Sequence, residues 1–206
     1  MKISFAITVC NELEEIKRLV PFLFEHKRKE DEIVILYDEN NGNSEILDFL
    51  LPYNKFPHVQ TWRGFDFEGN FANWKNKLND YCQGDYIYQI DADEMISEYM
   101  VKNINQMLEM NPDVDLIFVP RINTVDGLTQ EHINKWGWRV NDKGWVNFPD
   151  AQGRIFRKGM SWYGKVHERV IGGQKFSSLP LDEEYCIQHH KTISRQEKQN
   201  NYNNTL

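Results

Sequence analysis

Cysteine is scarce: Cys10, Cys82 and Cys186 stand singly in a chain of 206 residues. Their odd number and scattered spacing exclude a disulfide framework and a cysteine-based zinc site, and they fit a reducing, cytoplasmic compartment. Long apolar runs are missing too, so no membrane span is expected, although peripheral attachment to a membrane stays open. There is no excess of positive charge, with 24 Lys and Arg against 31 Asp and Glu. The resulting net charge of −7 argues against a general nucleic-acid surface, which needs basic residues in excess. The opening Met1-Lys2-Ile3-Ser4-Phe5-Ala6-Ile7-Thr8-Val9 lacks the apolar core and cleavage site of a signal peptide and reads as a strand. No internal repeat occurs, and no Gly-, Pro- or Ser-rich linker divides the chain. The 40% of hydrophobic residues, 13% of all residues being aromatic, are enough for one ordinary domain core.

Strand-like and helix-like segments alternate through the first half. Lys2–Val9 is β-favouring, and Ile16, Leu19, Val20, Leu23 and Phe24 then recur at helical spacing. Glu32–Tyr37 is a nearly continuous apolar run of the kind buried on both faces of a parallel sheet, and Ser44 is placed to cap a helix through Leu51. His58–Trp62 reads as a weak strand and Phe71–Cys82 as a helix. Ser97 caps a helix whose buried face is Val101, Ile104, Met107 and Leu108, and Leu116–Val119 is another strand. Beyond Pro120 the pattern loosens into short strand-like pieces: His132–Val140, Gly153–Arg157, Trp162–Ile171 and Tyr185–Gln188. The polar run Arg121–Asn134 is a candidate mobile loop. Gln196–Asn204 reads as a frayed helix or a tail, and the chain can be a piece of a longer protein.

Between Asp85 and Glu94 an alternating apolar strand ends on three carboxylates, Asp91, Asp93 and Glu94. Mutual repulsion at that range raises carboxylate pKa values, whereas a bound divalent cation keeps such groups ionised and draws them together. Two further polar clusters, Thr8–Glu12 and Asp38–Asn43, also follow strands. In an open sheet with strand–helix alternation, ligands bind outside the carboxyl ends of the strands, so the three clusters should meet in one crevice.

With those residues in place, the chain resembles the family 2 glycosyltransferases, which have the GT-A fold and transfer a sugar from a nucleotide diphosphate donor. The matching pieces are Ile7-Thr8-Val9-Cys10-Asn11-Glu12, Ile35-Leu36-Tyr37-Asp38, Lys75-Asn76 upstream of Gly84-Asp85-Tyr86-Ile87, and Asp91-Ala92-Asp93. The resemblance implies an α/β fold: a Rossmann-like, mostly parallel central sheet flanked by helices, with a smaller, irregular, β-containing acceptor half. On that reading residues 1–119 bind the nucleotide sugar, 120–193 carry acceptor and catalytic groups, and 194–206 are a polar tail.

It also implies roles. Thr8, Asn11 and Glu12 would border the nucleotide, and Asp38 would hydrogen-bond the base. Lys75, where the family usually has Arg, would lie near the donor with Asn76 and Ala92. Asp91 would face the ribose or the metal, and Asp93 would bind Mn²⁺ or Mg²⁺ bridging the diphosphate of a donor taken as a UDP-sugar. Glu39-Asn40-Asn41-Gly42 stands where the family commonly has Asp-Gly-Ser, which bears on base recognition.

Gly153-Arg154-Ile155-Phe156-Arg157 and Trp162-Tyr163-Gly164-Lys165-Val166-His167-Glu168 resemble segments of one subgroup of these enzymes, which includes lipopolysaccharide-core glucosyltransferase-like proteins. By that likeness Glu168 is the catalytic base of an inverting transfer, with Asp150 in reserve. An inverting transfer needs such a carboxylate to take the acceptor hydroxyl's proton. Ile187-Gln188-His189-His190 resembles the late histidine that completes the metal or diphosphate site of many GT-A enzymes. Alternation along a strand forbids both histidines from facing the same way; His189 is favoured over His190 because it shares a face with Ile187. Trp162 and Arg154 are acceptor-side candidates, the acceptor being a glycan or glycoconjugate. A binding module without turnover is the alternative, and a nucleotidyltransferase is disfavoured by the lack of a glycine-rich phosphate loop after Val9. His167-Glu168 is no zinc-protease motif, because Ile171 stands where the second His is required.

Overall fold

The protein is described here by a computed structural model covering residues 1–203. The first half alternates strand and helix: β1 (Ile3–Val9), α1 (Leu13–His26), β2 (Glu32–Asp38), α2 (Ser44–Leu50), β3 (Val59–Gly64), α3 (Phe71–Tyr81) and β4 (Tyr86–Asp91). There follow β5 (Glu94–Met95), α4 (Glu98–Met110), β6 (Leu116–Asp126), α5 (Gln130–Trp136), β7 (Ala151–Arg157), β8 (Ser161–Tyr163) and β9 (Arg169–Ile171). The chain closes with β10 (Phe176–Ser178), β11 (Ile187–Thr192) and α6 (Ile193–Asn203). Residues 204–206, the end of the expected tail, lie outside the described residues.

The main sheet runs in the order β3-β2-β1-β4-β7-β6-β11-β5, with β10 paired to β6. β3, β2, β1 and β4 are parallel; β7 inserts antiparallel between β4 and β6. β1 and β2 are buried almost throughout because helices cover both faces, as an unbroken apolar strand requires. Alternate residues of β1 divide the labour. Ile3, Phe5, Ile7 and Val9 pack in one core with Ile16, Leu19 and Leu23 of α1 and Ile104 and Leu108 of α4, whereas Ala6 faces Trp74 and Leu78 of α3. The α/β GT-A architecture is the one expected. Among the described residues no helix is long and apolar enough to cross a membrane.

The structure revises several expected elements. Asn43, rather than Ser44, caps α2, its side chain accepting from the Glu45 amide. Phe24 is not on the buried face of α1; it lies at the rim against Phe56 and Tyr53. The expected strand His132–Val140 begins as helix α5, which Thr129 caps in a reciprocal bond with His132, so Arg121–Asn134 is no mobile loop: β6 runs through to Asp126 and carries Arg121 and Asn123 on paired backbone. The expected strand Trp162–Ile171 is a hairpin, β8 and β9, with residues 164–168 in its turn. Ser97 caps α4 as expected, accepting from Met100 N at 3.0 Å. The boundary at 119/120 falls inside β6.

Candidate active site

The carboxyl ends of β1, β2 and β4 open into a cleft of about 1100 Å³, whose far wall comes from β6, β11, the β8–β9 turn and α6. The strand register sets Thr8 beside Asp91, so the first and third polar clusters meet there.

Asp91 is flanked by two cations: Lys75 Nζ lies 3.1 Å from one carboxylate oxygen and Arg154 Nη2 2.7 Å from the other. Burial opposes its ionisation, but Arg154 and Lys75 outweigh it and hold the carboxyl well below the usual range. Glu94 is fully buried beneath it. It accepts from Asp91 N at 3.0 Å, from Arg154 at 2.7 Å and from Arg121 at 3.0 Å. Glu94 thus fixes the strand end and two guanidinium groups at once.

Lys75 lines the cleft and is engaged on two sides. Its ammonium bridges Asp91 to Glu168, 2.7 Å away, and lies 4.7 Å from the centre of the Trp162 ring. Glu168 comes to that place through unusual backbone. Gly164 has φ +106° and a Cβ there would meet the Glu168 Cα at 3.5 Å, while His167 takes φ 56°, a conformation L-residues rarely adopt and one often found at functional sites. Asn76 is turned away from the cleft. Its side chain donates to Trp162 O at 2.9 Å and accepts from Trp162 N at 2.7 Å, which fastens β8 to α3 and sets Glu168 over Lys75. Sequence reasoning placed Asn76 at the donor; its work is to hold the hairpin.

Asp93 points to the opposite side of the cleft from Asp91's cations. His189 Nε2 approaches its Oδ2 at 3.2 Å, with Arg195 at 3.4 Å and Lys191 at 3.9 Å. Burial would raise the Asp93 pKa, yet the hydrogen bond and charge of His189, with Lys191, bring it down to about 2. A hydrogen-bond chain orients the imidazole. Asn123 donates to Asp150 at 2.8 Å, which leaves its amide oxygen to accept from His189 Nδ1 at 2.7 Å. With Asn123 accepting from Nδ1, Nε2 is the ring nitrogen turned toward Asp93; it donates to that carboxylate in the imidazolium form and is the nitrogen that would ligate a metal from the neutral ring. His190 faces outward, bonded to Thr124 and Asp126.

Asp150, the reserve candidate for the base, lines the cleft but is engaged by three donors. Arg121, Asn123 and Gln152 all donate to it, and although burial pushes the other way their combined effect, Arg121 first, lowers its pKa. Arg154 is 3% exposed and so poorly placed to meet an acceptor; its Nη2 donates to Asp91 and Glu94, while Nε and Nη1 are buried without a hydrogen-bond partner. Trp162 is a buried floor, edge-on to Phe156, and not an open sugar platform. Asp38 is almost fully buried, its oxygens accepting from the Asn40 and Asn41 amides and the Asn41 side chain, and it lines the cleft together with Asn41. Ala92 and Asn11 line the cleft, and Glu12 accepts from the Cys10 and Asn11 amides at 2.9 Å each. Burial, Asp38 and Glu12 push the Cys10 thiol up to about 12, which excludes it as a nucleophile. Arg121, Asn123, Lys191 and Arg195 escaped sequence reasoning.

The sequence profile of glycosyl transferase family 2 matches residues 4–171. The chain belongs to this family. No curated protein matches it. Among solved structures, the family 2 chain is similar to S. aureus TarS 1–349, with TM-score 0.66 and 14% identity over 92% of this chain and 60% of that one. The same TarS fragment in complex with UDP-GlcNAc aligns with TM-score 0.65 and 15% identity, covering 93% of this chain and 59% of TarS 1–349. S. aureus TarS at greater length is covered for 38% of its chain. Identities this low show the shared fold alone, and the chain spans about three-fifths of the shorter TarS structures.

Do the residues present suit a divalent metal? Asp93 and His189 offer one oxygen and one nitrogen donor side by side, a set suited to Mn²⁺. Among the described residues no cluster of three His, Cys, Asp or Glu forms, so water and substrate phosphates would fill the other positions, as is usual for metals on nucleotides. Asp91, held by two cations, is not part of that set.

Proposed function

We propose that the chain transfers a sugar from a nucleotide diphosphate donor, read as a UDP-sugar, to a hydroxyl of a glycan or glycoconjugate, with inversion. The observation that carries this is the meeting, in one cleft of a family 2 chain, of Asp93 with His189 on one side and Glu168 with Lys75 on the other. The likeness to TarS in complex with UDP-GlcNAc supports a nucleotide-sugar donor.

The acceptor oxygen bonds to the anomeric carbon as that carbon's bond to the diphosphate breaks; the proton goes to Glu168 and the nucleoside diphosphate departs. Asp93 and His189 would hold Mn²⁺ or Mg²⁺, which when bound neutralises charge on the leaving group. Lys75 holds Glu168 in place, and Asn76 keeps its hairpin against α3. Glu12, Asn11 and Asn41 shape the nucleotide end.

The test is release of nucleoside diphosphate from a panel of nucleotide sugars with Mn²⁺ or with EDTA. Metal-dependent release that is lost in Asp93→Ala supports the reading. Binding without release from every donor and acceptor tried would favour a nucleotide-sugar-binding module instead.

A further inference from the structure

Arg195 stands at the start of α6, four residues after Lys191 and six after His189, with no linker between β11 and the helix. Its guanidinium spans the mouth of the cleft. Nη1 pairs with Glu15 in the first turn of α1, and Nη2 lies 3.4 Å from both Glu12 and Asp93. Behind it α6 supplies Gln199, which accepts from Lys191, and lines the cleft with Lys198 and Tyr202.

A structural staple would be buried and would make short, forked bonds to one carboxylate. Arg195 is 32% exposed, and its second nitrogen is shared between two carboxylates at a distance too long for a strong hydrogen bond. That nitrogen also approaches the Asp93 oxygen that His189 and Lys191 approach. A carboxylate oxygen with two cations, Lys191 and Arg195, and an imidazole beside it has less attraction left for a metal ion, and a guanidinium whose Nη2 makes only long contacts can turn that nitrogen to a stronger partner. Phosphate is such a partner, because its oxygens match the planar fork of donors.

We propose that Arg195 is a diphosphate clamp: its guanidinium leaves Asp93 and Glu12 for the diphosphate of the donor, and in doing so frees the Asp93 oxygen for the metal. This rests on the nucleotide-sugar reading of the cleft. The exchange makes donor and metal cooperative through one side chain, since each weakens the contact that competes with the other. Glu15 anchors the guanidinium throughout, so only the Nη2 side changes partner.

The test uses the full chain, with Arg195→Ala and Arg195→Lys. Calorimetry measures UDP, GDP, ADP and dTDP; ligand-observed NMR measures the matching nucleoside, which has no phosphate; and titration of Mn²⁺ without nucleotide measures metal affinity. Arg195→Ala should weaken the best nucleoside diphosphate about tenfold or more, with nucleoside affinity unchanged and Mn²⁺ affinity raised several-fold. Arg195→Lys, which keeps charge and loses the fork, should fall between. Equal loss for nucleoside and diphosphate would mark Arg195 as a staple and overturn the proposal, as would unchanged diphosphate affinity or unchanged Mn²⁺ affinity. If the unaltered chain binds none of the four diphosphates, it is the nucleotide-sugar reading that fails.

Discussion

Both ends of the parallel strands hold buried or half-buried carboxylates, yet Asp91 and Asp93 at one end line the cleft and those of the other end do not. At the amino end Asp31 and Glu32 are buried, and their partners are close and conclusive: Asp31 accepts from Ile3 N and Arg28, Glu32 from Lys2 Nζ at 2.6 Å, Ser4 Oγ at 2.6 Å and the Gln83 amide. These bonds staple the first strand to the second and to the turn before β4, and none of these residues lines the cleft. At the carboxyl end Asp91, Asp93 and Glu94 are met by cations from distant parts of the chain around a cleft. A buried carboxylate is therefore no sign of chemistry in itself. What marks a site is a carboxylate whose partners are charged side chains facing open space, where a ligand can take their place.

The sharpest way to break that contrast is to remove a cation from the cleft end. Arg154→Met leaves the buried Glu94 and the half-buried Asp91 with too little positive charge and should cost about 3–5 kcal/mol of stability, read from urea unfolding. A loss under about 1 kcal/mol would mean that the cleft carboxylates are balanced without it. Asn76→Leu comes next. It orphans the Trp162 amide and carbonyl, costing about 1–3 kcal/mol, and should lower kcat while leaving donor KM close to that of the unaltered chain. A change in KM alone would return Asn76 to the donor.

Glu32→Gln at the amino end should have the smallest effect, about 1–2 kcal/mol at neutral pH and none on donor affinity. Burial raises the Glu32 pKa, but Lys2, Ser4 and the Gln83 amide together bring it below the ordinary 4.5. Its folded pKa being the lower one, its contribution is present above about pH 4.5 and fades as pH falls below that, through the folded value. The gap between Glu32→Gln and the unaltered chain should accordingly narrow in acid; a gap that widens would contradict the assignment.

The contrast also explains what could be read in the sequence. β1, β2 and β4 were legible because strands buried on both faces write long apolar runs, and His189 because it alternates in phase with Ile187. Helix α5 was not, since none of its residues is buried and it carries no apolar stripe; its only sign was the Thr129–His132 cap. The carboxylates of the site were legible as a cluster, but their partners were not. Arg154 and Arg195 are paired across 63 and 183 residues, to Asp91 and Glu12, and no local pattern records such a meeting. Asn76 sat inside a matching motif and was assigned to the donor, whereas its bonds go to the hairpin 86 residues away.

Transfer through Glu168 is the centre of the account, and Glu168→Gln tests it most directly. The exchange keeps size and hydrogen bonding while removing the base. The account predicts unchanged affinity for the nucleoside diphosphate, with sugar transfer to the acceptor reduced by about two to four orders of magnitude, the usual worth of a general base. Transfer at an undiminished rate would contradict it.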